Sequence, residues 1–121
     1  MYKNFKDEII QTCESKINEE SCGFVYLDNN EIKTVECKNI HDDPKNFFKI
    51  KPEEFLFLKE RYTPLATFHS HPESDCNPTE FDLLQAQELS LPMYIYSLKT
   101  KDFFVYKPNS CYQDELKNRP F

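Results

Sequence analysis

Leu65-Ala66-Thr67-Phe68-His69-Ser70-His71-Pro72 is an apolar, β-rich run that acquires histidines only where it ends. Residues i and i+2 of a strand project from one face, so His69 and His71 present their imidazoles side by side, a spacing that suits two cis ligands of one tetrahedral ion. Zinc in a catalytic site takes three protein ligands and keeps one position open, so a third donor is expected nearby. Asp82 is a candidate, eleven residues after His71 and just inside the next helix. Taken singly, His-Ser-His-Pro is also a polar strand exit and Asp82 is also a helix cap. The joint pattern His69-x-His71-Pro72-x5-Pro78-Thr79-x2-Asp82 is more specific than its parts, because it fits a strand, a loop and a helix start without forced geometry.

The segments on either side supply a mixed α/β pattern. Pro72 to Pro78 reads as a loop, and Thr79 as the N-cap of a helix through Leu89 with Asp82 at its N3 position. Two strands follow, Met93–Leu98 and Phe103–Lys107. Upstream, Phe5, Ile9, Ile10, Cys13 and Ile17 fall at helical spacing and predict an amphipathic helix from Phe5 to Ile17. Gly23 precedes Phe24-Val25-Tyr26-Leu27, which with Ile32–Cys37 forms a hairpin across Asp28-Asn29-Asn30. Asn39 to Lys45 is a loop, Phe47–Ile50 a short strand, and Pro52 the first residue of a helix to about Arg61. The expectation is a single α/β domain over residues 1–107, a mixed sheet flanked by helices, with residues 108–121 as a tail or linker.

Composition bounds the function. A chain of 121 residues, 39% hydrophobic, with 11 Phe and 7 Tyr, can close one core without staples. A net charge of −6 argues against a nucleic-acid-tracking surface. Residues 1–20 have no apolar signal core and no 18 apolar residues run together, so the expected compartment is the cytoplasm, without membrane insertion. Cys13, Cys22, Cys37, Cys76 and Cys111 form no CxxC pair, which disfavours both a disulfide framework and a four-cysteine zinc knuckle. All but Cys76 read as small buried hydrophobes. Cys76 lies in the loop after the histidines, where it is a possible neighbour of the metal.

The His-x-His-Pro…Asp pattern resembles the signature of the JAMM (JAB/MPN) zinc metallopeptidases, His-x-His-Pro-x(n)-Ser-x-x-Asp, with an upstream glutamate in a Glu-x-x-Gly context. Here Glu20-Ser21-Cys22-Gly23 matches the upstream element, and its register relative to Gly23 selects Glu20 over Glu19. The resemblance spans roughly Phe5 to Lys107. It implies a cytidine-deaminase-like fold, a zinc ion on His69, His71 and Asp82, and Glu20 as general acid/base in the hydrolysis of a peptide or isopeptide bond. Thr79 stands where the family has serine, so the hydroxyl expected to stabilise an oxyanion is kept with an added methyl. Zinc nucleobase deaminases need His-x-Glu followed by Pro-Cys-x-x-Cys, and no such pair occurs; the HExxH of zincins is absent too.

A narrower similarity, carried by Pro44 to Glu54, by Leu91-Pro92-Met93-Tyr94-Ile95-Tyr96-Ser97 and by Asn118-Arg119-Pro120-Phe121, is to the JAMM module of phage tail-assembly proteins of the K type. That resemblance implies a place in tail assembly, a peptide, cell-wall or tail-protein substrate, and an NlpC/P60 peptidase domain C-terminal in a longer chain. Pairing into a homodimer is expected from the family. The competing expectation is a structural-zinc or metal-free interaction module of the tail, and a fourth ligand from Cys76 would favour the structural zinc.

Overall fold

Residues 4–108 are described by a computed structural model of the chain, so the expected tail, with Cys111 and the Asn118–Phe121 motif, lies almost wholly outside the described residues. The elements are α1 (Phe5–Glu14), β1 (Cys22–Asp28), β2 (Glu31–Cys37), α2 (Pro52–Arg61), β3 (Thr63–His71), α3 (Glu80–Leu89), β4 (Met93–Ser97) and β5 (Phe103–Tyr106). The strands form one mixed sheet in the order β2-β1-β3-β4-β5. Only β3 and β4 are parallel, and α3 is the crossover that parallel neighbours require.

Alternation along the central strands sorts the core into two faces. On one, Phe5, Ile9 and Cys13 of α1 pack against Val25, Ala66, Phe68, Tyr94 and Tyr96. On the other, Cys22, Met93 and Ile95 meet Ala86 of α3 and Phe48, while Phe24 and Cys37 meet Leu58 of α2. His69 and His71 sit on β3 at the alternate positions after Thr67, so the second face carries them. β3 is buried from Leu65 to His71, as expected for a strand covered on both sides.

Two expectations need correction. The first helix stops at Glu14 rather than Ile17: Ile17 is 68% exposed, so no burial rewards another turn. Phe47–Ile50 is not a strand, because a side chain takes the place of a partner strand. The Asn39 amide donates to the carbonyls of Glu20, Pro44 and Phe47, and its Oδ1 accepts from the His41 and Lys49 N–H groups.

Gly23 is required by close approach rather than by backbone freedom. A Cβ there would collide with the Val35 carbonyl oxygen and stand 2.6 Å from the Phe68 ring. Gly23→Ala is expected to lower stability by at least ~1–3 kcal/mol, as overpacking a tight core does. An unchanged denaturant midpoint would refute that account.

Candidate metal centre

The C-terminal end of β3, where the chain leaves the sheet for the crossover helix, is where open α/β sheets place their ligands. His69 and His71 stand at that end, with exposures of 0% and 2%. α3 brings the third group. Thr79 Oγ1 accepts from the Asp82 N–H at 3.1 Å while Asp82 Oδ2 accepts from the Thr79 N–H at 3.0 Å, a complete capping box. The box turns the Asp82 carboxylate back toward β3. His69 Nε2 then lies 3.1 Å from Asp82 Oδ1, and His71 Nε2 lies 3.0 Å from Asp82 Oδ2.

This donor set fits a tetrahedral ion. Metal–ligand bonds of about 2.0–2.1 Å at tetrahedral angles separate donors by roughly 3.3 Å. Among the described residues, His69, His71 and Asp82 are the one group of His, Cys, Asp and Glu whose donor atoms all lie within 4.8 Å of one another. Among the described residues His69 Nε2 has no hydrogen-bond partner despite its closeness to Asp82 Oδ1, and a buried nitrogen without a partner is costly unless something else takes its lone pair. Phe48 stacks on the His69 ring at 4.3 Å and seals that side from water.

Electrostatics differ sharply between the two imidazoles. Burial pushes the His69 pKa down, in favour of the neutral ring that a metal needs. Burial also pulls on His71, but hydrogen bonds to Asp82 and to the Asp75 carbonyl, together with the Asp82 and Glu20 charges, outweigh it and raise the pKa. With Asp75 O at 2.6 Å from Nδ1 and the carboxylate facing Nε2, the ring is flanked by acceptors. That arrangement holds a proton on Nε2, and a cation is the natural replacement for it. Asp82 loses solvation, yet the two histidines facing it and the Thr79 N–H hold its carboxyl well below the usual range.

Glu20 is 4% exposed, and its Oε1 has no hydrogen-bond partner among the described residues. Its backbone is pinned by the Pro44 carbonyl, which accepts from its N–H at 2.7 Å, and by Asn39. Burial pushes its pKa up to about 8; the His71 charge opposes the shift, while Asp82 and Asp43 add to it. Glu19 instead turns outward to Lys16 at 3.8 Å. Thr79 is exposed beside Asp82, and its hydroxyl proton is free because its oxygen serves the cap as acceptor. Cys76 is half-buried against the cluster of Cys22, Phe48, Ala86, Met93 and Ile95, and is not a member of the three-residue group.

Sequence patterns do not reveal Asn39, Phe48 or the Asp75 carbonyl. Each acts through a loop whose path is set by tertiary contacts, and none carries a spacing signal.

Known proteins bear on this geometry. A family model described as prokaryotic homologs of the JAB domain matches residues 3–107. The chain belongs to the JAB-domain family. Tail tip assembly protein K of Escherichia phage N15 is 28% identical over 115 residues, which cover 95% of this chain and 46% of that protein. The chain therefore spans about half the length of the curated relative it matches. A solution structure of protein DSY2949 from Desulfitobacterium hafniense shares the fold, with a TM-score of 0.65 at 23% identity over 85% of this chain and 77% of that one. Among the described residues no helix of this JAB domain is long and apolar enough to cross a membrane.

The elevated Glu20 pKa predicts a pH signature in the zinc-free JAB domain. A carboxyl that titrates near 8 when folded and near its ordinary value when unfolded binds more protons in the folded state between those limits, so its contribution to stability falls as pH rises from about 4.5 toward 8. Glu20→Gln removes that term. Relative to wild type, the variant is expected to be more stable at pH 8 than at pH 5 in chelator-treated protein, and a pH-independent difference in unfolding free energy would contradict the burial argument.

Proposed function

We propose that the chain is a zinc-dependent metallopeptidase that hydrolyses a peptide or isopeptide bond. The observation that carries this reading is the convergence of His69 Nε2, His71 Nε2 and the Asp82 carboxylate beside a buried, unpartnered Glu20 Oε1. His69, His71 and Asp82 would hold the ion, and three donors is the number that catalytic zinc takes from protein. When bound, zinc in such a set polarises a carbonyl and lowers the pKa of water toward neutrality.

Glu20 would take a proton onto its carboxylate from the attacking water and return it to the departing nitrogen, a role helped by a pKa raised toward neutrality. The Thr79 hydroxyl would donate to the oxygen that gains negative charge. Phe48 keeps water from the back of His69. The kinship with a tail tip assembly protein supports a setting in phage tail assembly, with a cell-wall peptide or a tail protein as substrate. An NlpC/P60 domain in a longer chain and a homodimer belong to the same proposal.

Elemental analysis tests the metal assignment. Wild type and Cys76→Ser are expected to carry one zinc per chain, and His71→Ala none. Loss of zinc in Cys76→Ser as well would make the ion structural. No zinc in wild type would leave an interaction module.

A further inference from the structure

We infer that Ser97, at the end of β4, is a positioning residue for the metal ligand His71, acting through the loop that follows β3. The inference rests on the metal centre proposed above. Ser97 is the strand neighbour of His71 in the parallel β3–β4 pair and is fully buried. Its Oγ donates to the Ser74 carbonyl at 2.6 Å and accepts from the Lys99 and Thr100 N–H groups at 3.2 and 3.0 Å. A serine hydroxyl has one donor and two acceptor sites, so this one is saturated. Its orientation is therefore fixed, and with it the position of the Ser74 carbonyl.

The next carbonyl along the chain, that of Asp75, accepts from His71 Nδ1 at 2.6 Å. A donor hydrogen on Nδ1 makes Nε2 the nitrogen able to bind a cation, and Nε2 is the atom facing Asp82. A line of contacts thus runs from Ser97 Oγ to Ser74 O, through one peptide unit to Asp75 O, and across to the ring. Apart from Cys76, which packs against the cluster around Phe48, little else holds this loop in place. Among the described residues its other polar ties are the Asp75–Asn77 turn and an ion pair between Lys45 and Glu73 whose side chains are 50% and 70% exposed, a class of pair that contributes little. Among the described residues, Ser97 is the one side chain of the sheet, apart from His71 itself, that hydrogen-bonds to the loop. The turn after β4 is fastened at the same point, since the Leu98 N–H donates to the His71 carbonyl at 3.0 Å.

The test pairs zinc affinity, measured by competition with a chromophoric chelator, with imidazole NMR of the zinc-free protein, read at the His71 Nδ1–H. Ser97→Ala is expected to bind zinc about 10–100-fold more weakly, the usual effect of losing an outer partner of a metal ligand. In the zinc-free protein its His71 Nδ1–H is expected to lose the hydrogen bond to the Asp75 carbonyl, seen as an upfield proton shift and faster exchange, with the His69 signals unmoved. A role in stability alone would lower the melting temperature and leave the His71 Nδ1–H signal in place, and that result, or wild-type zinc affinity, overturns the inference. Should Ser97→Ala fail to fold, Ser97→Cys keeps a side chain of similar shape with a weaker donor and is expected to fall between wild type and complete loss; wild-type affinity there is equally fatal. If wild type itself bound no zinc, the metallopeptidase reading would fail, while the His71 Nδ1–H signal in Ser97→Ala would still decide the positioning role.

Discussion

Glu20→Gln is expected to keep one zinc per chain and to lose at least ~10²-fold in the rate of amide hydrolysis, the smallest loss usual for a general acid/base. The substitution preserves shape and removes only the capacity to accept and return a proton. Its buried setting makes it a clean probe: Oε1 has no hydrogen bond to lose among the described residues, and the backbone is held by Pro44 and Asn39 whatever the side chain carries. Glu20 is also absent from the three-residue donor group, so metal content should not follow activity. Glu19→Gln is the matching control, because that carboxylate faces Lys16 and solvent. The measurement is zinc content alongside turnover on a panel of fluorogenic peptides and isopeptides. Hydrolysis retained by a zinc-loaded Glu20→Gln protein would sink the role assigned to Glu20.

Much of this arrangement is legible in the chain because it depends on local rules. The two-residue period of a strand puts His69 and His71 on one face, and an S/T-x-x-D box both starts α3 and turns Asp82 toward them. Gly23 marks a close crossing of β1 with β2 and β3, which keeps Glu20 just ahead of a strand paired with the one that carries His69 and His71. What is not legible depends on contacts distant in sequence. The loop from Asn39 to Ile50 has the composition of a loop and then a strand, yet Asn39 satisfies its backbone and leaves no ladder to form. Phe48 reads as one more apolar residue and becomes the cover of His69. Periodicity also overran α1, because a helical repeat in the sequence does not say where the sheet beneath it ends.

Asp82→Asn is expected to cost zinc affinity more than the ~100-fold typical of an outer partner, since it removes a donor and the only carboxylate of the set. It also separates two tasks that one side chain performs. An asparagine oxygen can still accept from the Thr79 N–H, so α3 should keep its cap, whereas Asp82→Ala should lose a further ~1 kcal/mol of helix stability. Thermal denaturation resolves the two. For wild type, free zinc at about a thousand times its dissociation constant stabilises the fold by roughly 4 kcal/mol. In a domain near 100 residues that corresponds to a rise in melting temperature on the order of 15–30 °C. Asp82→Asn should show almost none of that rise. In the absence of zinc the comparison turns on His71, whose Nε2 proton faces the carboxylate: without that charge its pKa should fall. A zinc-dependent shift in Asp82→Asn as large as in wild type would mean that the carboxylate caps the helix and nothing more, and the ion would then have to be held by the histidines with some other donor.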